Sequence, residues 1–259
     1  MIKAIFFDID GTLVSFKTHK IPQSTLDVIS ELKRKGIKLF IATGRPFMAI
    51  NNLNGLEFDG YITLNGGCCL NKEKGIIHKN VINPEDIKSL VKFQEEEYAF
   101  PCVFVNDDRM FINFVNENVL EVLKLVDFPE LAIENIRKAT EKDVLQMMAF
   151  INEEHENKIF SEVLVNCQPA RWNPLFTDII SLNSSKKVGM QKILDYYNIS
   201  VNDTMAFGDG GNDIPMLDYA NYGIAMGNAN EDVKQMADYV TDPVDENGVI
   251  NALKYFKVI

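Results

Sequence analysis

Two kinds of apolar pattern alternate along this chain. Ala4-Ile5-Phe6-Phe7, Ile37-Lys38-Leu39-Phe40-Ile41-Ala42 and Gly60-Tyr61-Ile62-Thr63-Leu64 are short, nearly unbroken apolar runs, and so are residues 204–207 and 222–225 much later. Runs of that length bounded by turn residues predict strands buried on both faces, as in a parallel sheet. Between them, residues 22–35 carry Leu26, Ile29 and Leu32 at helical spacing and stop at Gly36, and the stretch from Lys186 to about Tyr197 carries Met190, Ile193 and Leu194. Further helical signals lie around Met48 and Ile50, at 214–220 and at 231–236, with a last short strand at Tyr239-Val240. The alternation predicts an α/β fold, a doubly wound, Rossmann-like parallel-sheet core.

The pattern changes in the middle. After a hairpin around Asn71-Lys72-Glu73-Lys74, the residues from about 83 to 182 predict helices at 84–97 and 116–126. Strands are expected there at 102–105, 110–113, 144–150, 161–165 and 175–180. Strands in hairpins with helices between them suggest an open sheet covered on one face. The expected organisation is a core made of 1–82 and 183–259, with 83–182 inserted as an α+β cap domain. An insertion whose ends return to the functional edge of the sheet is placed to close over it and select substrate.

Composition narrows the class without choosing a function. With 26 basic and 37 acidic residues in 259, the formal net charge is −11, which opposes nucleic-acid binding. No run is long enough for a membrane span, and the chain begins directly with a strand, so no membrane association and a cytoplasmic location are expected. The four cysteines, Cys68, Cys69, Cys102 and Cys167, lack zinc-site spacing and read as reduced, mostly buried thiols. His19, His78 and His155 are scattered and support neither a triad nor a zinc site. The oligomeric state is open and compatible with a monomer.

The chemistry lies where apolar runs end. Asp8-Ile9-Asp10-Gly11-Thr12 follows the first run and Gly208-Asp209-Gly210-Gly211-Asn212-Asp213 follows another, so both acidic clusters fall at carboxyl ends of strands, the edge where open α/β sheets bind ligands. Four carboxylates on two such turns suggest one divalent-metal site, with Mg2+ the natural occupant of an all-oxygen set. Asp8, the Asp10 backbone carbonyl and Asp209 are its expected ligands, with Asp213 and Asn212 supporting them. A cation beside a carboxylate relieves its repulsion from a phosphoryl group, so Asp8 is the expected nucleophile, forming an aspartyl phosphate. Asp10 is the expected acid and base. Thr43 and Gly44 offer a hydroxyl and an N–H to a phosphoryl oxygen, and Lys186 or Lys187 offers a cation. Lys186 is preferred, because the apolar stripe of its helix points it back to the sheet edge.

At this point the chain resembles the haloacid dehalogenase superfamily, and within it the Cof-like sugar phosphatases with a large α/β cap. The matching residues are Asp8-Ile9-Asp10-Gly11-Thr12, Thr43-Gly44-Arg45, Asn65-Gly66, Lys186, Gly208-Asp209-Gly210-Gly211-Asn212-Asp213 and Gly223-Ile224-Ala225-Met226-Gly227-Asn228-Ala229. The cap segment Gln168-Pro169-Ala170-Arg171-Trp172-Asn173-Pro174 is similar to bacterial hexose-phosphate phosphatases. The resemblance implies a magnesium-dependent phosphatase of small phosphorylated metabolites, with the roles given above. It places Arg45, Asn65, Asn212, Arg171 and Trp172 as candidates for phosphate or substrate binding, with bracing of the turn or of the cap as the other reading for Arg45, Arg171 and Trp172. One departure stands out: Lys187 follows Lys186 where the family usually has glycine. A phosphohexomutase and a non-catalytic regulator that binds phosphorylated metabolites are the competing functions.

Overall fold

The computed structural model describes residues 1–259, which divide into two compact units: Met1–His78 with Ser185–Ile259, and Lys79–Ser184. In chain order the first unit begins with β1 (Ala4–Phe7), α1 (Gln23–Arg34), β2 (Lys38–Ala42), β3 (Gly60–Thr63), β4 (Cys68–Asn71) and β5 (Ile76–Lys79). The second unit holds α2 (Pro84–Glu96), β6 (Cys102–Val105), β7 (Met110–Ile112), α3 (Glu117–Leu125), β8 (Ala132–Ile133), β9 (Gln146–Ala149), α4 (Glu153–Glu162), β10 (Cys167–Asn173) and β11 (Phe176–Ser181). The first unit resumes with α5 (Lys186–Tyr197), β12 (Thr204–Gly208), α6 (Ile214–Tyr219), β13 (Tyr222–Ala225), α7 (Glu231–Met236), β14 (Tyr239–Val240) and α8 (Gly248–Tyr255).

The eight strands of the first unit form one sheet in the order β14-β13-β12-β1-β2-β3-β4-β5, parallel from β14 through β3. The expected α/β parallel-sheet class is therefore the observed one. β1 lies at its centre, and its unbroken apolar run follows from burial on both faces. Ile5 and Phe7 enter the cluster that includes Val28, Ile29 and Leu32 of α1 and Val249, Ala252 and Leu253 of α8. Ala4 and Phe6 enter the opposite one, with Met190, Ile193 and Leu194 of α5 and Met216 and Leu217 of α6. Phe6 stacks on Phe40 at 4.9 Å between ring centroids and Phe7 on Phe207 at 5.2 Å, which ties β1 to both its neighbours. Each fully buried ring contributes about 1.5–3 kcal/mol of apolar transfer.

Register decides what happens next. Phe7 pairs with Phe207 and with Ile41, so Asp8, the loop after Gly208 and the turn after Ala42 emerge side by side at one edge. Hydrogen bonds extend the ladder into those turns, from Asp8 N–H to the Phe207 carbonyl and from Thr43 N–H to the Ile62 carbonyl.

In the second unit six strands run in the order β10-β11-β9-β6-β7-β8, all pairs antiparallel except β7 with β8. Residues 161–165, expected as a strand, instead close α4. Asn152 caps that helix by accepting the His155 N–H, Glu153 and Glu154 favour its positive end, and the Val163 and Leu164 N–H groups both bond the Ile159 carbonyl. The strand lies further on, as β10. The helical stretch expected around Met48 is only a single 3-10 turn, Phe47–Ala49, and α8 was not expected. No helix is long and apolar enough to cross a membrane. The four cysteines are free thiols, three of them buried, and burial pushes Cys69 up to about 12.

Candidate active site

β1 delivers Asp8 at its carboxyl end with 6% of its surface exposed. Facing it, α5 begins at Lys186, capped by Ser185, whose hydroxyl accepts the Val188 N–H. A lysine in the first turn of a helix opposes the helix dipole. Here it is held by carboxylates: the Lys186 ammonium donates to Asp8 Oδ1 at 2.6 Å and to Asp213 Oδ1 at 2.6 Å, and the residue is 1% exposed. Burial alone would lower the lysine's pKa, but Asp213 and Asp8 together more than offset it and hold the ammonium charged. Of the two adjacent lysines, Lys186 is the one among the carboxylates. The Lys187 ammonium lies over the Tyr219 ring at 5.3 Å.

The loop after β12 supplies the other acids. Asp213 Oδ2 accepts the N–H groups of Asp209 and Gly210 at 3.0 Å each, so this residue shapes the loop and orients Lys186 at once. Asp209 is held by two residues whose place in the motifs implies no role of their own. Thr12 donates to Asp209 Oδ1 at 2.9 Å, and Asn228 donates to Asp209 Oδ2 at 3.3 Å and to the Gly11 carbonyl at 2.9 Å. Asn228 Oδ1 accepts the Val244 N–H, which fixes the amide's orientation. Hydroxyl and amide residues beside an acidic turn were the available signal, but which carboxylate they serve needs the packing of β1 against β12. Gly11, at φ +88°, is required: a Cβ there would overlap the Asp209 carboxylate.

Carboxylate oxygens of Asp8, Asp209 and Asp213 lie within 4.8 Å of one another. Burial, with repulsion from Asp213 and Asp10, raises Asp8 to about 7 despite Lys186. Burial, with repulsion from Asp8 and Asp213, raises Asp209 well above the usual carboxylate range. An all-oxygen cluster with more negative charge than its one lysine balances fits a hard divalent cation, and Asp8 and Asp209 are the residues that would hold it.

The turn after β2 and the turn after β3 are stitched together by the Leu64 N–H to the Arg45 carbonyl and the Asn65 N–H to the Thr43 carbonyl. Leu64, Asn65 and Gly66 all have positive φ, at 54°, 51° and 89°, a left-handed run that costs backbone energy at Leu64. It presents Asn65, whose Oδ1 accepts from the Asn212 amide at 2.9 Å and so links this turn to the acidic loop. Thr43 is buried, and its hydroxyl oxygen accepts the Arg45 N–H. Arg45 itself grips Asp10, from Nε to Oδ2 at 2.6 Å and from Nη2 to Oδ1 at 2.7 Å.

Arg171 and Trp172 sit on β10 of the second unit. All the guanidinium nitrogens of Arg171 are engaged there: Nε and Nη2 with Glu156, Nη2 also with the Ile151 carbonyl, and Nη1 with the carbonyls of Asn173, Pro174 and Phe176. That pattern ties the β10–β11 turn to α4, the bracing reading rather than a free substrate contact. Trp172 meets the Phe176 ring edge-on at 5.1 Å.

The profile of the haloacid dehalogenase-like hydrolases matches residues 5–253. A solved structure described as the HAD subclass IIB sugar phosphatase BT4131 is 43% identical, with a TM-score of 0.94 over 99% of this chain and 100% of that one. "Putative phosphatase YkrA" of Bacillus subtilis (strain 168) is 36% identical over 97% of this chain and 96% of its own length. The 5-amino-6-(5-phospho-D-ribitylamino)uracil phosphatase YitU of the same organism is 29% identical over 98% of this chain and 97% of its own length.

Proposed function

The chain belongs to the haloacid dehalogenase-like hydrolases and is a phosphoric monoester hydrolase; on that premise we propose that it dephosphorylates small phosphorylated sugars through an aspartyl phosphate on Asp8. The observation that carries this reading is the Lys186 ammonium held between Asp8 and Asp213, with Asp209 beside them. Lys186 holds Asp8 through Oδ1, and a carboxylate oxygen of Asp8 attacks phosphorus. As the Asp8 oxygen bonds to phosphorus, the bond from phosphorus to the sugar oxygen breaks, and Asp10 gives its proton to that oxygen so that the sugar leaves as an alcohol. Asp10 then takes a proton from water as the water oxygen attacks phosphorus. Phosphate leaves and the Asp8 carboxylate is restored.

Asp8 and Asp209, with the Asp10 backbone carbonyl, would hold Mg2+, which would supply the positive charge that lets two anions meet. Asp213 acts behind them by holding the 209–210 backbone and Lys186. The Thr43 hydroxyl, oriented by the Arg45 N–H, and the N–H of Gly44 donate to the transferring phosphoryl group. Asn65 and Asn212, paired amide to amide, border it. The 79–184 unit carries the choice of substrate, and sugar phosphates are favoured by the 43% identity to a sugar phosphatase over essentially full length.

The test is phosphate release with Mg2+ from hexose, pentose and triose phosphates, nucleotides and a phosphorylated ribityl compound, beside Asp8→Asn and a chelator. Release that disappears in both controls and is fastest on sugar phosphates is expected. Near-normal release by Asp8→Asn removes Asp8 as nucleophile. Isomerised sugar phosphate without net phosphate release replaces hydrolysis by a mutase, and no reaction with any compound leaves the binding-protein reading.

A further inference from the structure

Asp10 stands on a turn with 15% of its side-chain surface exposed. Both of its carboxylate oxygens are held by Arg45, 35 residues away. Its guanidinium meets both Asp10 oxygens in a two-point fork of 2.6 and 2.7 Å, a geometry that fixes the plane of the carboxylate as well as its distance. The fork is itself fixed: the Arg45 side chain is 5% exposed, and Nη1 donates to the Ala49 carbonyl at 3.1 Å. The same residue's backbone N–H orients the Thr43 hydroxyl, and its carbonyl accepts the Leu64 N–H. One residue thus joins the acid and base, the phosphoryl-binding hydroxyl and the left-handed turn of Asn65.

We infer that Arg45 is the positioning residue of Asp10, aligning its carboxylate with the leaving oxygen and then with water, and that it does not bind the sugar. The inference rests on the reading of Asp10 as acid and base. A reacting group displaced by about an ångström costs on the order of 10²-fold in rate, so this is the loss expected when the fork is removed. Lysine keeps the charge but provides one point of attachment instead of two, so it does not restore the alignment.

The experiment compares wild type, Arg45→Ala, Arg45→Lys, Asp10→Asn and the double variant Asp10→Asn with Arg45→Ala, in Mg2+, on the best sugar phosphate and on 4-nitrophenyl phosphate. Nitrophenolate leaves without a proton, so formation of the aspartyl phosphate from that ester needs no aligned acid. The expected result is a fall in kcat of about 10²-fold for Arg45→Ala on the sugar phosphate, with KM within about threefold. Single-turnover phosphorylation by the nitrophenyl ester falls at least about tenfold less. Lysine does not rescue, added guanidinium partly rescues Arg45→Ala, and the double variant is no slower than Asp10→Asn, because both changes remove one function.

A rise in KM with unchanged kcat makes Arg45 a substrate ligand and overturns the inference, as do equal losses on both esters or additive losses in the double variant. Loss of the folded state in Arg45→Ala, seen by circular dichroism, moves the same comparison to Arg45→Lys and Arg45→Gln, which retain a long side chain in the buried site. An inert wild type overturns the phosphatase reading and this inference with it. An active wild type with a KM-only effect overturns this inference alone.

Discussion

Replacing Asp8 by asparagine is expected to stabilise the metal-free protein while abolishing turnover. Asp8 ordinarily ionises at 3.8, but in the fold burial and the neighbouring acids hold it to about 7. The unfolded chain therefore loses this proton near 3.8 and the folded chain only near 7, so between these values the folded state binds more protons. Stability falls as pH rises through that window. The full difference corresponds to about 4 kcal/mol of destabilisation once Asp8 is ionised, at pH 8. Asparagine removes it and also relieves Asp209, which Asp8 repels, but it weakens the hold on Lys186. A net gain of about 2–3 kcal/mol remains, about 4–12 °C in Tm for a unit of this size. The assay is thermal unfolding of both proteins in chelator from pH 5 to 8. The gain should be largest at pH 8 and shrink toward pH 5, and Mg2+ should close the gap by stabilising the wild type. An Asp8→Asn protein that melts at or below the wild type at pH 8 in chelator, or a gain indifferent to pH, refutes the reasoning.

Thr12→Val and Asn228→Ala each release one oxygen of Asp209, and each should raise the Mg2+ concentration for half-maximal activity by about 10–100-fold, read from Mg2+ titrations of phosphate release, with Asn228→Ala also lowering Tm because the Gly11 carbonyl and the Val244 N–H lose their partner. Gly11→Ala, which sets a Cβ against the Asp209 carboxylate at φ +88°, should lose activity at least about 100-fold and destabilise by about 1–3 kcal/mol, seen in rate and melting together. Arg171→Met should leave KM within about twofold while lowering stability by about 3 kcal/mol, because Glu156 is left partly buried without its partner. A large KM effect with unchanged melting would instead return Arg171 to substrate binding.

The elements near the site were legible because their patterns admit one reading. β1, β2, β3 and β12 are buried on both faces, so their runs are almost uninterrupted, and the acids that follow are placed by the strand ends. Sequence and structure differ where local patterns are ambiguous. Val163 and Leu164 look like part of a strand, but their N–H groups are used to close α4. α8 buries only Gly248, Val249, Ala252 and Leu253, too short a stripe to announce itself.

The sequence by itself determined the α/β core, the strand-end carboxylates and the preference for Lys186, because each depends on residues a few positions apart. Only the tertiary structure decided which group each carboxylate serves. Asp10 meets Arg45, Asp209 meets Thr12 and Asn228, and Asp213 meets Lys186 across separations of 19 to 197 residues. Those pairings follow from the order and register of parallel strands, and no local pattern encodes them. The raised ionisation of Asp8 is likewise a property of the assembled edge, since it comes from burial and from charges brought together by folding.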